Sequence, residues 1–144
     1  MGIQCRGLAA VGAAALFAVL GCGESGPKTY PVKGKVVYKG GGDVAKLAGG
    51  QVNFESVGEP KVTGSGEIEA DGSFSVWCYL EGKDREGLPA GEYRVCVRPP
   101  KGDDDGPRRG GPIHPRYQTF DKSGLTVTVA AGTNTPTIEV EAAE

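Results

Sequence analysis

The chain has 144 residues, and its 16 Lys and Arg against 18 Asp and Glu give a formal net charge of −2. Nucleic-acid binding usually requires a basic surface, and this charge balance argues against one, so we expect no nucleic-acid partner. Glycine and proline are frequent, with 25 and 10 residues, and this favours short strands and tight turns over helices. We therefore predict one all-β domain with almost no helix.

The N-terminal part of the chain is apolar and ends at a cysteine. From Gly7 to Leu20 it carries no charged residue. This run is short for a bilayer-spanning helix, which needs about 20 apolar residues, but it suits the core of a secretory signal peptide. It closes with Val19-Leu20-Gly21-Cys22, and a polar, glycine-rich stretch follows.

This tetrapeptide resembles the lipobox of bacterial lipoproteins. The resemblance implies cleavage between Gly21 and Cys22 and a lipid on the Cys22 sulfur. It divides the chain into a signal peptide at 1–21, a lipidated tether at 22–29 and a domain at 30–144. Gly23 is not the Asp that marks inner-membrane retention in well-studied lipoproteins, so we expect the outer membrane, with the domain in the periplasm or on the surface. A simple cleaved signal and a retained anchor are the alternatives.

Several segments after the tether alternate between apolar and polar residues, the period of a half-buried strand. They lie at 32–38, 51–55, 62–69, 74–80, 92–98, 125–129 and 137–141. Residues 44–47 predict a short edge segment, and 81–91 predict a polar loop. The charged, glycine-rich run at 99–115 predicts a mobile loop, because it has too little apolar surface to offset the entropy of ordering. Residues 113–123 are expected to be irregular, pinned by Ile113, Tyr117 and Phe120.

The clearest turn signal is Asp71-Gly72, between two alternating runs. Asp-Gly favours a hairpin because glycine accepts the positive φ that the turn requires. Gly64 and Gly66 share the parity of the inward-facing Ile68, which predicts a bulge or a close approach of a neighbouring backbone.

About seven short strands at this spacing predict a single antiparallel β-sandwich. Four segments in order, at 30–36, 71–74, 89–95 and 123–127, resemble the carboxypeptidase regulatory-like (transthyretin-like) domain of many small bacterial lipoproteins. The resemblance implies a prealbumin/Ig-like sandwich and an exported location. It further implies a non-catalytic module for stability, adhesion or ligand binding, since that is what most characterised members of the superfamily are.

No pattern in the chain indicates catalysis or metal binding. His114 is the only histidine, and no nucleophile elbow or Cys-His signature accompanies it. Asp103, Asp104 and Asp105 are consecutive, whereas calcium loops place their carboxylates at alternate positions. One histidine without a CxxC pair does not predict a zinc site. We expect no catalytic residue, no metal and no other cofactor.

Cys78 and Cys96 are the two cysteines outside the signal and the lipobox. An exported location favours a disulfide between them. Strand parity argues against it, because Cys78 lies with the inward-facing Val76 while Cys96 lies opposite the inward-facing Val95. A disulfide needs Cβ atoms within about 4.5 Å, so bridging these two cysteines requires a bulge or a sheet in which this assignment of faces fails. With the two arguments opposed, the pair is a possible disulfide.

Trp77 and Tyr79 share the outward parity of their strand and form a possible binding surface. Exposed aromatics stack on sugar rings or serve as hot spots for protein partners. The alternative is that the loop at 81–91 covers them. The sequence thus predicts a membrane-anchored, non-catalytic lipoprotein that binds a protein or polysaccharide of the cell envelope. The alternative function is a carbohydrate-binding module that uses the two aromatics.

Overall fold

A computed structural model describes residues 26–101 and 111–143. The predicted signal peptide, Cys22 and most of the charged loop lie outside these residues. The described strands are β1 (Lys33–Tyr38), β2 (Gln51–Ser56), β3 (Thr63–Glu67), β4 (Ser73–Ser75), β5 (Trp77–Leu80), β6 (Lys83–Glu86), β7 (Gly91–Arg98), β8 (Leu125–Val129) and β9 (Thr137–Val140). The all-β prediction is confirmed for this part of the chain.

The strands form two sheets. The smaller has the order β4-β1-β9, and the larger has the order β6-β5-β3-β2-β7-β8. All neighbours in the larger sheet are antiparallel, but β1 and β9 run parallel in the smaller one. The expectation of an entirely antiparallel arrangement is therefore wrong for this pair.

The segment predicted as one strand at 74–80 is shared between the two sheets. The chain crosses from one sheet to the other at Val76, whose N–H donates to the Val32 carbonyl while its own carbonyl accepts from the Gly87 N–H. The side chains keep the predicted alternation through the crossing, so Phe74, Val76 and Cys78 are all buried. The alternation of apolar and polar residues predicts which side of a strand faces the core, but it does not reveal that the chain passes from one sheet to the other.

The inward faces of both sheets contribute to one core. Phe54 of β2 lies at its centre, with its ring centroid 6.1 Å from that of Phe74 on β4 and 6.5 Å from that of Tyr93 on β7. The core side chains are Val36, Tyr38, Phe74, Ile138 and Val140 from the smaller sheet, and Val52, Phe54, Cys78, Tyr93, Val95, Val97 and Val129 from the larger. Phe54 thus packs directly between the two sheets.

Two glycine predictions are confirmed. Gly72 has a φ of +86° in the turn between β3 and β4, and the preceding Asp71 carboxylate accepts the Ser73 N–H at 2.9 Å. A Cβ atom at Gly66 would lie 2.5 Å from the Ser75 carbonyl oxygen, and one at Gly64 would lie 3.0 Å from the Trp77 carbonyl oxygen. This close approach explains why β3 tolerates glycine at a position that faces the core.

Three sequence predictions are wrong in detail. The polar loop at 81–91 contains β6, an edge strand without an apolar residue, which hydrophobic alternation does not reveal. Residues Val44–Leu47 form a 3₁₀ turn that Asp43 caps, instead of an edge strand. Residues Pro115–Gln118 form another 3₁₀ turn, and Phe120–Ser123 form a short helix, α1. The strand count rises from about seven to nine because the segment at 74–80 forms β4 and β5 and because β6 is added.

The predicted pinning of residues 113–123 is confirmed for two of its three side chains. Ile113 and Tyr117 are buried, whereas Phe120 is only half-buried. No helix within the described ranges has the length and apolar character needed to cross a bilayer.

Tyr93 makes the fold sensitive to high pH. Its hydroxyl donates to the Pro89 carbonyl at 2.8 Å, and burial raises the pKa of Tyr93 from 10.0 to about 12. The folded state keeps this proton where the unfolded chain loses it. The stability that results is complete below pH 10 and is lost as the pH rises through about 12.

We therefore expect the free energy of unfolding to fall by about 2 to 3 kcal/mol between about pH 10 and 12 because of Tyr93. Urea titrations across this window measure the fall. The control is Tyr93→Phe, which removes the titrating hydroxyl and should remove that part of the pH dependence. An equal fall in both proteins would contradict the prediction.

Candidate functional site

Trp77 and Tyr79 lie on the outer face of the larger sheet, with 52% and 67% of their surfaces exposed. Their strand, β5, is paired with β6, so that Trp77 is opposite Glu86 and Tyr79 is opposite Asp84. The chain after β5 therefore continues beside the two aromatics in the plane of the sheet. The alternative that this segment covers them is wrong.

A row of side chains crosses the outer face from Trp77. Trp77 is opposite Ser65 on β3, Ser65 is opposite Asn53 on β2, and Asn53 is opposite Cys96 on β7. Because Ser65 is small, the row leaves a groove of 410 Å³ beside the aromatics. The groove is lined by Asn53, Phe54, Thr63, Gly64, Ser65, Trp77, Cys78, Tyr79, Asp84, Arg98 and Phe120. We call the outward residues Trp77, Tyr79, Ser65 and Asn53 the aromatic face.

The segment that contains α1 packs on the outer side of β7 and borders the groove. Arg94 of β7 donates to the Asp121 carboxylate of α1 at 2.8 Å and to the Glu55 carboxylate of β2. The Ser123 hydroxyl donates to the Val95 carbonyl. Hydrogen bonding to Glu55 is the main cause that raises the pKa of Arg94. Because Asp121 is largely exposed, most of the stabilisation comes from the Glu55 contact and from Ser123.

The polar groups of the groove are varied in type. Asn53 Nδ2 is buried and has no hydrogen-bond partner within the described ranges. The Asn53 side chain nevertheless lies close enough to Cys96 to lower the pKa of its thiol, although burial raises that pKa more. Asp84 and Arg98 add one acceptor and one donor of opposite charge. The groove thus combines ring surfaces with amide, hydroxyl and charged groups.

The structure argues against the possible disulfide between Cys78 and Cys96. Both are free and buried, but Cys78 faces the core while Cys96 lies on the outer face of the sheet. Strands β3 and β2 separate β5 from β7, which makes three interstrand spacings of about 4.8 Å, or roughly 14 Å. A disulfide needs Cα atoms within about 7 Å. The cysteines cannot pair in this fold.

Both thiols should therefore be unreactive in the folded protein. Burial raises the pKa of Cys78 and of Cys96, and the nearby Arg98 offsets only part of the increase for Cys96. Because the thiolate is the reactive form, iodoacetamide near neutral pH should modify neither residue in native protein and both in urea. Mass spectrometry of the peptides counts the adducts. Rapid native modification, or a disulfide formed on mild oxidation, would contradict this.

His114 has a local structural role. It is exposed, and its Nδ1 accepts the Arg116 N–H at 3.2 Å, which caps the 3₁₀ turn that begins at Pro115. Within the described ranges, no three His, Cys, Asp or Glu side chains gather into a group that could hold a metal ion.

Only part of the aromatic face could be predicted from the sequence. Parity placed Trp77 and Tyr79 outward, and the same parity placed Asn53 outward on β2. The Asp71-Gly72 hairpin signal predicted that β3 lies beside β5. Nothing in the sequence indicated that β2 lies on the other side of β3, so Asn53 could not be assigned to a surface with Trp77.

Comparisons of the chain with protein-family models, with curated proteins and with solved structures gave no match. The interpretation of the aromatic face therefore depends on its geometry and chemistry.

Proposed function

We propose that this chain is an exported lipoprotein whose two-sheet body is a non-catalytic binding module of the cell envelope. In this proposal residues 1–21 are removed and Cys22 carries a lipid that holds the protein at a membrane, with the outer membrane as the expected one. The two sheets are a prealbumin/Ig-like β-sandwich of the carboxypeptidase regulatory-like kind. The aromatic face binds a protein or polymer of the envelope.

The exposure of Trp77 and Tyr79 is the observation that carries this proposal. Among the described residues, the large apolar side chains left exposed are these two and Val57. Adjacent exposed aromatics are unfavourable in water and typical of recognition surfaces. A partner that covers these two side chains would remove their apolar surface from water, and this would stabilise the complex.

A carbohydrate ligand is the second candidate, and the composition of the groove favours it. Sugars present an apolar ring face beside several hydroxyl groups. Trp77 and Tyr79 offer flat surfaces for the ring, while Asn53, Ser65 and Asp84 offer donors and acceptors for hydroxyls. A protein partner would use the aromatics as anchors and needs no such set of small polar groups.

Fluorescence of Trp77, the single tryptophan, tests the two ligand classes. Stacking on a sugar ring should shift its emission when peptidoglycan fragments or storage glycans are added. No response to glycans, together with a specific envelope protein captured from membrane extracts by wild type and not by Trp77→Ala, favours the protein partner. No glycan response and no Trp77-dependent capture would refute the binding function.

Mass spectrometry of protein purified from cell membranes tests the anchor. The expected N-terminal peptide begins at Cys22 and carries the mass of a diacylglycerol with or without a further acyl chain. An unmodified peptide that includes residues before Cys22 would refute the lipoprotein proposal.

A further inference from the structure

The first described residues of the chain lie against one end of the two-sheet body. At this end, residues 57–62 connect β2 to β3 and residues 81–82 connect β5 to β6. A Cβ atom at Gly26 would come within 2.6 Å of Arg85 Nη2 and 2.9 Å of Glu81 Oε2, next to the second of these connections. We call this end, with Pro89 and Ala90 ahead of β7, the tether end.

The distance from the tether end to Cys22 is short. Three residues lie between Cys22 and Gly26, and the four Cα–Cα steps of a fully extended chain span at most about 14 Å. The following step rests on the proposed lipid attachment at Cys22. With the lipid in a bilayer, Gly26 stays within about 14 Å of the headgroups, while the two ends of β7, a strand of 8 residues, lie roughly 25 Å apart.

The tether end carries exposed apolar surface. Val57, the first residue after β2, is 49% exposed, and its N–H donates to the Glu92 carbonyl at 2.9 Å. Beside the connection between β2 and β3 is a cleft of 450 Å³ that Pro27 also lines. Its apolar walls are Pro60, Val62, Leu80, Pro89 and Ala90. An exposed valine next to an open apolar cleft gains free energy when lipid replaces the water around it.

The charges around the cleft decide which kind of bilayer suits it. Glu59, Glu81 and Glu92 line the cleft. Lys61, the lysine of the same connection, donates its ammonium group to the Ser56 carbonyl at 3.1 Å. Carboxylates are repelled by anionic headgroups, but they pair with the ammonium group of phosphatidylethanolamine.

We propose that the tether end is a contact surface for a zwitterionic phospholipid bilayer, with Val57 and the cleft seated at the boundary between headgroups and acyl chains. The contact is too small to hold the protein by itself. The lipid on Cys22 supplies the high effective concentration that makes a weak second contact count. Because Leu80, at the end of β5, lines the cleft, the strands of the larger sheet stand away from the membrane. Trp77 and Tyr79 then face sideways into the envelope.

Two single-tryptophan proteins test this contact. Val57→Trp places the probe at the tether end, and Lys46→Trp places it at an exposed site at the opposite end; both carry Trp77→Phe. The mature chain is coupled through the Cys22 thiol to a maleimide lipid in phosphatidylcholine–phosphatidylethanolamine vesicles with brominated acyl chains. Cys78 and Cys96 are buried and do not compete for the coupling.

A side chain inserted at the headgroup–acyl boundary should lose roughly half of its emission to the brominated chains, and position 46 should lose almost none. Part of the phosphatidylethanolamine is then replaced with an anionic lipid, which should reduce the quenching at position 57. Absence of quenching at position 57, or equal quenching at both positions, would overturn the contact.

This experiment separates the contact from the proposed anchor, because the synthetic tether replaces whatever the cell attaches. An unlipidated Cys22 in native protein together with quenching at position 57 refutes the lipoprotein proposal and supports the affinity of this end for lipid. A lipidated Cys22 without quenching at position 57 refutes the contact alone.

Discussion

Replacing Trp77 with alanine is expected to weaken ligand binding by about 30-fold or more, which corresponds to about 2 kcal/mol. Trp77 is the largest side chain of the aromatic face, and it lines the groove next to Ser65. Truncation removes the ring surface that a sugar or an apolar anchor would cover. The ligand is the glycan or the envelope protein found by the fluorescence and capture experiments. Isothermal calorimetry with this ligand measures the loss of affinity without relying on tryptophan emission.

The matched control for this variant is Val57→Ala. Val57 is about as exposed as Trp77 but lies at the tether end, away from the groove. A ligand free in solution should bind Val57→Ala with wild-type affinity. Circular dichroism should show that Trp77→Ala keeps its β structure, because a half-exposed side chain contributes little to the core. Unchanged affinity of Trp77→Ala would show that the ligand binds elsewhere.

Alternation of side chains made the exposure of the aromatics predictable. Side chains on a strand alternate between faces, so the buried Phe74, Val76 and Cys78 force Trp77 and Tyr79 outward. The same rule holds although the chain changes sheets at Val76, because both sheets face the same core. The exposed aromatics are therefore a consequence of a local pattern.

Burial, in contrast, depends on what covers a face, and a local pattern does not report that. Cys96 has the outward parity that the sequence indicates, yet it is fully buried. The outer side of its strand, β7, is covered by the segment that carries α1, which Arg94 and Ser123 hold in place. That segment looked irregular in the sequence because its helical turns are only four residues long. The sequence thus predicted the exposed aromatics of the groove but not the segment with α1 that borders the groove on its other side.

Most of the strand order could also not be predicted from the sequence. The separation of Cys78 from Cys96 follows from the positions of β3 and β2 between their strands. The Asp71-Gly72 signal indicates that β3 lies beside β5, but no period or turn signal places β2 between β3 and β7. The edge strand β6 was missed for a different reason. Its residues Lys83–Glu86 are all charged, as is common for edge strands that avoid pairing with another chain, so it has no apolar side to detect.

Truncating Phe54 to alanine is expected to lower the free energy of unfolding by about 3 to 5 kcal/mol. Phe54 is fully buried between the two sheets, and its ring contacts those of Phe74 and Tyr93, so its loss leaves a cavity that neither sheet can close. Phe54→Leu should cost less, because more of the volume is kept. Tyr79→Ala, an aromatic truncation on the exposed face, should cost at most about 1 kcal/mol. Urea unfolding of the three variants measures these differences, and a similar loss for Phe54→Ala and Tyr79→Ala would show that the two sheets do not share a core at Phe54.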